Sequence, residues 1–425
     1  MMKRISCIIM CIMLVAQVAK VGADNKNTDA RSSIGISDNT QINPEQQNNA
    51  FCFKLWRELD QKNENLFVSP YSINTALAMV YSGAKNETAR EIAEVMGYSL
   101  PMDEQHLFFA KYQADLNSIA DKKQAELKVA NALFAHEDNA DQLIPAYIKV
   151  LKDSFNSEMH TLDFENEAQS ATFINRWVER RTNSRIKNMV SKEDIAYNKG
   201  GIILVNAIYF KGNWLHKFPL RNTHVMKFYQ DSKCSPSSAK DFEMMNVTSS
   251  FSYAELPGYQ ILEMPYEEED LAMIFVLPDE IKNIAKDLNS QTWQDWMAAL
   301  KPQEVVAYIP RFKLELSISL VDHFKKLGMQ DAFDPNKADF SGIMKVDYLY
   351  IQKIYHKAFL EIKEEGSEAA AATMVSMFAP SSISPKRPQP VIFMANKPFL
   401  CMIIHKPDNN ILFMGKVVKP VEIKQ

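Results

Sequence analysis

Cysteine is scarce in this chain, five in 425 residues, and Cys7 and Cys11 fall in an apolar run at the N-terminus. Cys52, Cys234 and Cys401 are left, an odd set that cannot all pair, so the fold does not rest on a disulfide framework. Surplus positive charge is missing too. A net charge of −4 and a pI near 6.1 remove the electrostatic case for a nucleic-acid partner. Arg176, Arg180, Arg181, Arg185 and Lys187 cluster on a helical pattern that also carries Phe173, Ile174, Trp177 and Val178, which reads as a solvated helix face. Catalytic motifs are absent: no G-x-S-x-G elbow, no H-E-x-x-H helix, no phosphate-binding G-x-x-x-x-G-K-[ST] and no C-x-x-C pair. The acidic run Glu267-Glu268-Glu269-Asp270 lies between two strand candidates and reads as a solvated turn rather than a cation site. An enzyme, a metal centre and a cofactor are therefore not expected.

The N-terminus reads as an export signal over residues 1–23: Lys3 and Arg4 precede the apolar stretch 5–16, and Val21-Gly22-Ala23 offers small residues for cleavage before Asp24. That stretch is too short for a membrane anchor, and no membrane partner is expected. No C-terminal retention signal follows, so secretion to the extracellular space is the expected localisation. Asn86 and Asn246 head N-x-T sequons, usable as N-glycosylation sites in a secreted chain. Residues 24–49, rich in Asn, Gln, Asp and Ser, read as a disordered polar extension, with one domain over 50–425.

The apolar fraction of 46% supplies a substantial core. Helical periodicity marks 51–59, a helix opening at Ser69-Pro70, and 88–96 closed by Gly97. Strand candidates run over 127–134, 202–210, 260–264, 271–277, 305–312, 349–363, 391–394 and 399–404. Helices early and strands late indicate an α+β domain. His356, inside an apolar strand, reads as a hydrogen-bonded structural histidine.

What the chain does have is the block Glu364-Glu365-Gly366-Ser367-Glu368-Ala369-Ala370-Ala371-Ala372-Thr373, a glycine pivot followed by tiny side chains. Taken alone, Ser367 as N-cap before Glu368 and four alanines would start a helix, and a flexible linker is a further reading. Its position is unusual for either, because it hangs on the end of the strand 349–363 and is followed by a stretch rich in proline and serine, 380–390.

Several segments, in order, resemble the serpin family of large serine-protease inhibitors from about residue 50 onward. They are Asn65-Leu66-Phe67-Val68-Ser69-Pro70-Tyr71-Ser72-Ile73, then Leu204-Val205-Asn206-Ala207-Ile208-Tyr209-Phe210-Lys211-Gly212-Asn213-Trp214, then Ala395-Asn396-Lys397-Pro398-Phe399 and Leu412-Phe413-Met414-Gly415-Lys416-Val417. The block 364–373 matches the family's reactive-loop hinge, with the loop over about 364–390. The resemblance implies a central mixed β-sheet with additional sheets, about eight to nine helices and an exposed loop. It implies that a target serine protease cuts the loop, forms an acyl-enzyme bond and is trapped in a covalent complex as the loop inserts in the sheet. It also places latches against sheet opening at Ser69, Ser72, Asn206 and His356 under mid-sheet, and at Trp214, Arg311 and Glu364 at its top. A surface ion pair is the plain alternative for Arg311. A monomer is expected.

Strand alternation puts Ser367, Ala369, Ala371, Thr373 and Val375 on one face, inward by family precedent, and Glu368, Ala370, Ala372 and Met374 on the other. The inward set is small or β-branched and can be taken up without overpacking. The scissile bond is less well marked. Counting from Gly366 puts it between Pro380 and Ser381, and counting back from Ala395 puts it near Ser384. Phe378, Ile383 and Lys386 complete the candidates, and the region 378–383 is favoured over Lys386. Activation by a polyanion cofactor would have only Lys111, Lys122, Lys123 and Lys128 to rest on, and these are few and interspersed with acids. The rival reading is a non-inhibitory serpin acting as carrier, storage protein or chaperone.

Overall fold

A computed structural model of the chain describes residues 44–121, 125–195, 200–367 and 389–423. Nine α-helices lie among the described residues: α1 (Pro44–Leu59), α2 (Pro70–Tyr81), α3 (Asn86–Met96), α4 (Met102–Asp121), α5 (Pro145–Phe155), α6 (Glu167–Arg181), α7 (Ile284–Asp287), α8 (Ser290–Ala299) and α9 (Val321–Leu327). The strands are β1 (Leu66–Val68), β2 (Ala125–His136), β3 (Glu158–Leu162), β4 (Gly201–Asn213), β5 (His224–Tyr229), β6 (Ala239–Leu256), β7 (Tyr259–Pro265), β8 (Leu271–Pro278), β9 (Lys301–Pro310), β10 (Phe312–Ser319), β11 (Tyr350–Ile362), β12 (Gly366–Ser367), β13 (Val391–Met394), β14 (Phe399–His405) and β15 (Asn410–Val417). They form two sheets.

The six-stranded sheet has the order β10-β11-β12-β4-β2-β3. Its middle strand β4 runs parallel to β11 and antiparallel to β2. β4 is buried along nearly its whole length, as a strand covered on both faces must be. Under it lies α2, where Pro70 takes the first helical position and the Ser69 hydroxyl accepts from the Ser72 amide at 3.1 Å. Every residue of α2 is buried, its polar Ser72, Asn74 and Thr75 included. Over the opposite face lie α6 and the segment 182–195, whose Ile186, Met189, Val190 and Ile195 share an apolar layer with Val205 and Ala207 of β4. The nine-stranded sheet, in which β14 and β15 form the C-terminal hairpin, packs its own apolar layer against the upper half of the first.

Three expectations need correction. The domain starts before residue 50, because α1 begins at Pro44 and its polar residues are structural. Asn48 Nδ2 donates to the Ile411 carbonyl at 2.9 Å, and Asn49 donates to the Asn409 carbonyl at 2.9 Å while accepting from the Ile411 amide at 2.8 Å. The run 305–312 is two strands, broken at Arg311 where the chain leaves one sheet for the other. The acidic turn is only partly solvated: Glu268 is buried, and Glu267 pairs with Lys217 at 2.9 Å.

Candidate functional site

The site is the seam between β4 and β11. The two strands pair directly from Gly201 and Tyr350 up to Tyr209 and Phe359, and above that point β12 lies between them. Gly366 faces Asn213 and Ser367 faces Gly212 on β4, while Ser367 faces Ile362 on β11. The first two hinge residues after the glutamates are thus strand, not the start of a helix. Glycine is required at 366: a Cβ there would sit 2.0 Å from the Gly212 carbonyl oxygen and 2.5 Å from Asn213 Cα.

The top of the seam is a hydrogen-bonded cluster around β12. Trp214, fully buried, donates its indole N–H to the Lys363 carbonyl at 3.0 Å and its backbone N–H to the Glu365 carbonyl at 2.8 Å. The Tyr266 ring stacks on Trp214 with centroids 4.7 Å apart, and its hydroxyl reaches the Ser367 hydroxyl at 2.7 Å. Burial pushes that phenol's pKa far up, so it remains a neutral hydrogen-bonding group. Glu364, also buried, accepts from the Thr223 hydroxyl at 2.9 Å and faces Arg311 Nε at 3.6 Å. Arg311 pairs in addition with Glu243 at 3.0 Å and its side chain is only 15% exposed. A surface ion pair is therefore not what Arg311 makes. It bridges two carboxylates from within the cluster.

Half-way down the seam a second polar cluster brings together Ser69, Ser72, Asn206 and His356, and adds Asn131 of β2. His356 and Asn206 are register partners across the seam. The Ser69 amide donates to His356 Nε2 at 3.2 Å, so Nδ1 carries the ring proton and donates to Asn206 Oδ1. Asn206 Nδ2 in turn donates to the Ser72 carbonyl at 3.0 Å, the Ser72 hydroxyl and Asn131 Oδ1. Burial lowers the His356 pKa from 6.5 to about 3, which keeps the ring neutral. Asn131, Tyr266, Thr223 and Glu243 were missed in the sequence, where a polar or aromatic residue in a strand carries no signal of its own.

Hinge residues 368–373 and the scissile-bond candidates Phe378, Pro380, Ser381, Ile383, Ser384 and Lys386 lie outside the described residues, as do Lys122 and Lys123. Asn86 opens α3 and donates to Asp339 at 2.7 Å, while the Thr88 hydroxyl of its sequon is buried and accepts from the Asp339 amide at 3.0 Å. Asn246 sits on β6, partly exposed, with Thr248 exposed. Away from the seam, a cavity of about 550 Å³ opens between α1 and α8, with Trp293, Met297, Glu263 and Lys406 in its wall.

Residues 46–420 match the family model described as Serpin (serine protease inhibitor). Human antithrombin-III is 37% identical over 389 residues, covering 88% of this chain and 81% of that protein. Human serpin B4 is 36% identical, covering 88% of this chain and 98% of that protein. In three dimensions the chain is similar to human thyroxine-binding globulin, crystallised in complex with thyroxine, at a TM-score of 0.79 and 27% identity, covering 90% of this chain and all of that one. Serpins are protease inhibitors rather than catalytic enzymes, and inhibitory and non-inhibitory proteins both stand among these relatives. With the family model spanning nearly the whole described domain, and with the hinge strand seated between β4 and β11, the chain belongs to the serpin family.

Proposed function

We propose that this chain is a secreted suicide inhibitor of a serine protease, acting as a monomer. The protease serine attacks the scissile carbonyl of the loop, the peptide bond breaks, and the new amino terminus leaves with the proton while an ester links loop and enzyme. The loop N-terminal to the cut then joins the central sheet as a strand before water can hydrolyse the ester. The observation that carries this reading is the seated hinge: β12 already occupies the upper end of the gap, antiparallel to both neighbours, as an inserting strand must be.

Continuing that register downward sets Thr373 between Asn206 and His356, and Phe378 opposite Gly201, where β4 begins. Roughly ten further residues paired on both sides, at about 0.5 to 1.5 kcal/mol per hydrogen bond, amount to stabilisation on the order of 10 kcal/mol. That rivals the whole stability of an ordinary domain, so the uncleaved form is held kinetically. The latches Ser69, Ser72, Asn206 and His356, and the cluster of Trp214, Arg311 and Glu364, contribute to that barrier. The same register favours a cut within 378–383, since a cut before Phe378 would leave β4 without a full-length partner. Glycans at Asn86 and Asn246 are part of the proposal of secretion.

The test is incubation with trypsin-, chymotrypsin- and elastase-like enzymes. An SDS-stable complex with one of them is expected, and cleavage by all three without any complex would sink the inhibitor reading. A second reading, a carrier of small ligands, is favoured by the cavity between α1 and α8, whose volume falls in the range of small-molecule sites. It predicts that loop cleavage leaves the melting temperature unchanged.

A further inference from the structure

The nine-stranded sheet holds Asn246 between the two attachments of the loop. On one side the Asn246 carbonyl accepts from Asn222 Nδ2 at 3.4 Å, and the next residue, Thr223, donates its hydroxyl to Glu364 at 2.9 Å, where the hinge departs. On the other side Asn246 of β6 is the register partner of Tyr308 on β9, and Tyr308 is the register partner of Met394 on β13, the strand that follows the loop. Two strand spacings of about 4.8 Å set Asn246 about 10 Å from β13.

Alternation decides which way the side chains point. Val247 is buried in the apolar layer with Ala307 and Phe393, so Asn246 and Thr248 face outward, beside Val306, Tyr308, Ile392 and Met394. Thr248 is exposed, and Ile392 is 58% exposed. Among the described residues, no hydrogen bond engages the Asn246 side-chain amide or the Thr248 hydroxyl. The Asn86 sequon differs, since its asparagine donates to Asp339 and its threonine hydroxyl is buried and accepts from the Asp339 amide. A sugar on Asn246 therefore displaces no contact of the fold.

We propose that an N-linked oligosaccharide on Asn246 stands within the footprint of the target protease and slows its approach to the loop. The proposal rests on the readings of secretion and of inhibition. In the attachment, Asn246 Nδ2 bonds to the sugar C1 as the bond from C1 to the diphosphate of a lipid-linked oligosaccharide donor breaks, and the amide gives up one proton. A protease engaging an inhibitor covers about 800 Å² of each partner, a patch about 30 Å across. Asn246, between the loop's attachments and about 10 Å from one of them, falls inside a patch of that size centred on the loop. The sugar is bulky and hydrated, so the enzyme must displace it to seat. Uptake of the cut loop takes place at the seam of β4 and β11, in the other sheet, so the sugar acts on encounter and leaves trapping alone.

The experiment uses the full chain made in a secretory animal-cell line as wild type, Asn246→Gln and Thr248→Ala, and the wild type and Asn246→Gln made in bacteria, which add no such sugar. Both side chains face outward without partners, so the variants keep the fold. Mass spectrometry of the peptide carrying residue 246 reads occupancy. The second-order rate of SDS-stable complex formation is measured with the trypsin-, chymotrypsin- or elastase-like enzyme that forms the complex. The sugar is expected on the animal-cell wild type alone. Both variants from those cells should react about tenfold faster than wild type, within the one to three decades over which association rates vary among variants of one interface. The number of inhibitor molecules consumed per enzyme should not change, and the two bacterial proteins should react at equal rates. A bare Asn246 in the secreted wild type, equal rates for the three animal-cell proteins, or the same gain for Asn246→Gln made in bacteria would each overturn the proposal and leave inhibition standing. A chain retained inside the animal cells would refute secretion, and the absence of any complex with all three enzymes would refute inhibition; the glycan proposal falls with either.

Discussion

The hydroxyl groups of Tyr266 and Ser367 meet at 2.7 Å in the interior, and the ring that carries the first of them is stacked on Trp214. The contact fixes the first inward residue of the hinge, since Ser367 has no exposed surface. A guanidinium in that place would bring an unpaired charge between two strands, a cost of several kcal/mol unless the hinge stays out. Under the inhibition proposed above, Ser367→Arg is therefore expected to make the chain a substrate, cleaved in the loop but released. The check is the yield of SDS-stable complex with the target protease. A yield equal to wild type would show that the hinge enters without residue 367.

The His356 ring makes stability depend on pH with a definite sign. In the unfolded chain its pKa is near 6.5, and in the folded chain burial lowers it to about 3. Above about pH 6.5 the ring is neutral in both states and contributes no slope. As pH falls below that value the unfolded state takes up a proton that the folded state refuses, so stability declines by about 1.4 kcal/mol per pH unit until pH approaches 3. Burial also lowers the pKa of His106, His160 and His216, so the comparison must be made against a variant. His356→Gln should flatten the denaturation midpoint between pH 6 and 4 relative to wild type, measured by urea unfolding across that range. Parallel pH profiles for the two proteins would refute the assignment.

Much of the seam was legible because β4 is an almost continuous apolar run and β11 carries apolar residues at about every second position in places. The run 202–210 and the run 349–363 stand out in the sequence for that reason, and they became β4 and β11 almost to the residue. β6 did not stand out. Its eighteen residues carry Asn246, Thr248, Ser250 and Ser252 on a half-exposed face and Ser249 on the other, which dilutes the alternation. The start of α1 was hidden by the opposite effect, since Asn48 and Asn49 look like linker residues and serve as hydrogen-bond partners for the turn between β14 and β15. The segment 182–195 has neither helical nor strand period, so its path over the sheet could be seen only from the contacts of Asp194 and Lys187. His356 was readable as structural from its apolar neighbours, whereas Asn131 depends on pairing between strands distant in sequence.

A buried ion pair away from the seam provides a test of the fold itself. Lys416 on β15 pairs with Asp60 just beyond α1, each side chain only 5% exposed, and Lys416 Nζ also donates to the Lys62 carbonyl at 2.8 Å. Removing one partner leaves the other charge buried without compensation, which costs about 3–5 kcal/mol. Lys416→Met should therefore lower the unfolding free energy by that amount. Pairing it with Asp60→Asn should recover part of the loss, because no bare charge remains. Chemical denaturation of the three proteins checks both statements. A double variant no more stable than Lys416→Met would mean that packing around the lysine stem, and not charge, holds the site.

Where the loop is cut is constrained by the length of β4. With Ser367 opposite Gly212, a strand inserted as proposed would run out of partner at Gly201, at the position of Phe378 in that register. A cut N-terminal to Phe378 would leave the lower end of β4 paired on one side only and the protease carried a shorter distance. A cut far beyond it would leave unpaired residues between sheet and ester, a slack tether that weakens the pull on the enzyme. The expected scissile bond therefore lies within 378–383, and not at Lys386. Mass spectrometry of the C-terminal peptide released from the complex locates the bond directly, since the fragment begins at the residue after the cut. Cleavage there should also raise the melting temperature of the whole chain by on the order of 10 °C, because on the order of 10 kcal/mol of new strand pairing is gained. A fragment beginning at Arg387 would show that the strand seated in the sheet does not set the cut.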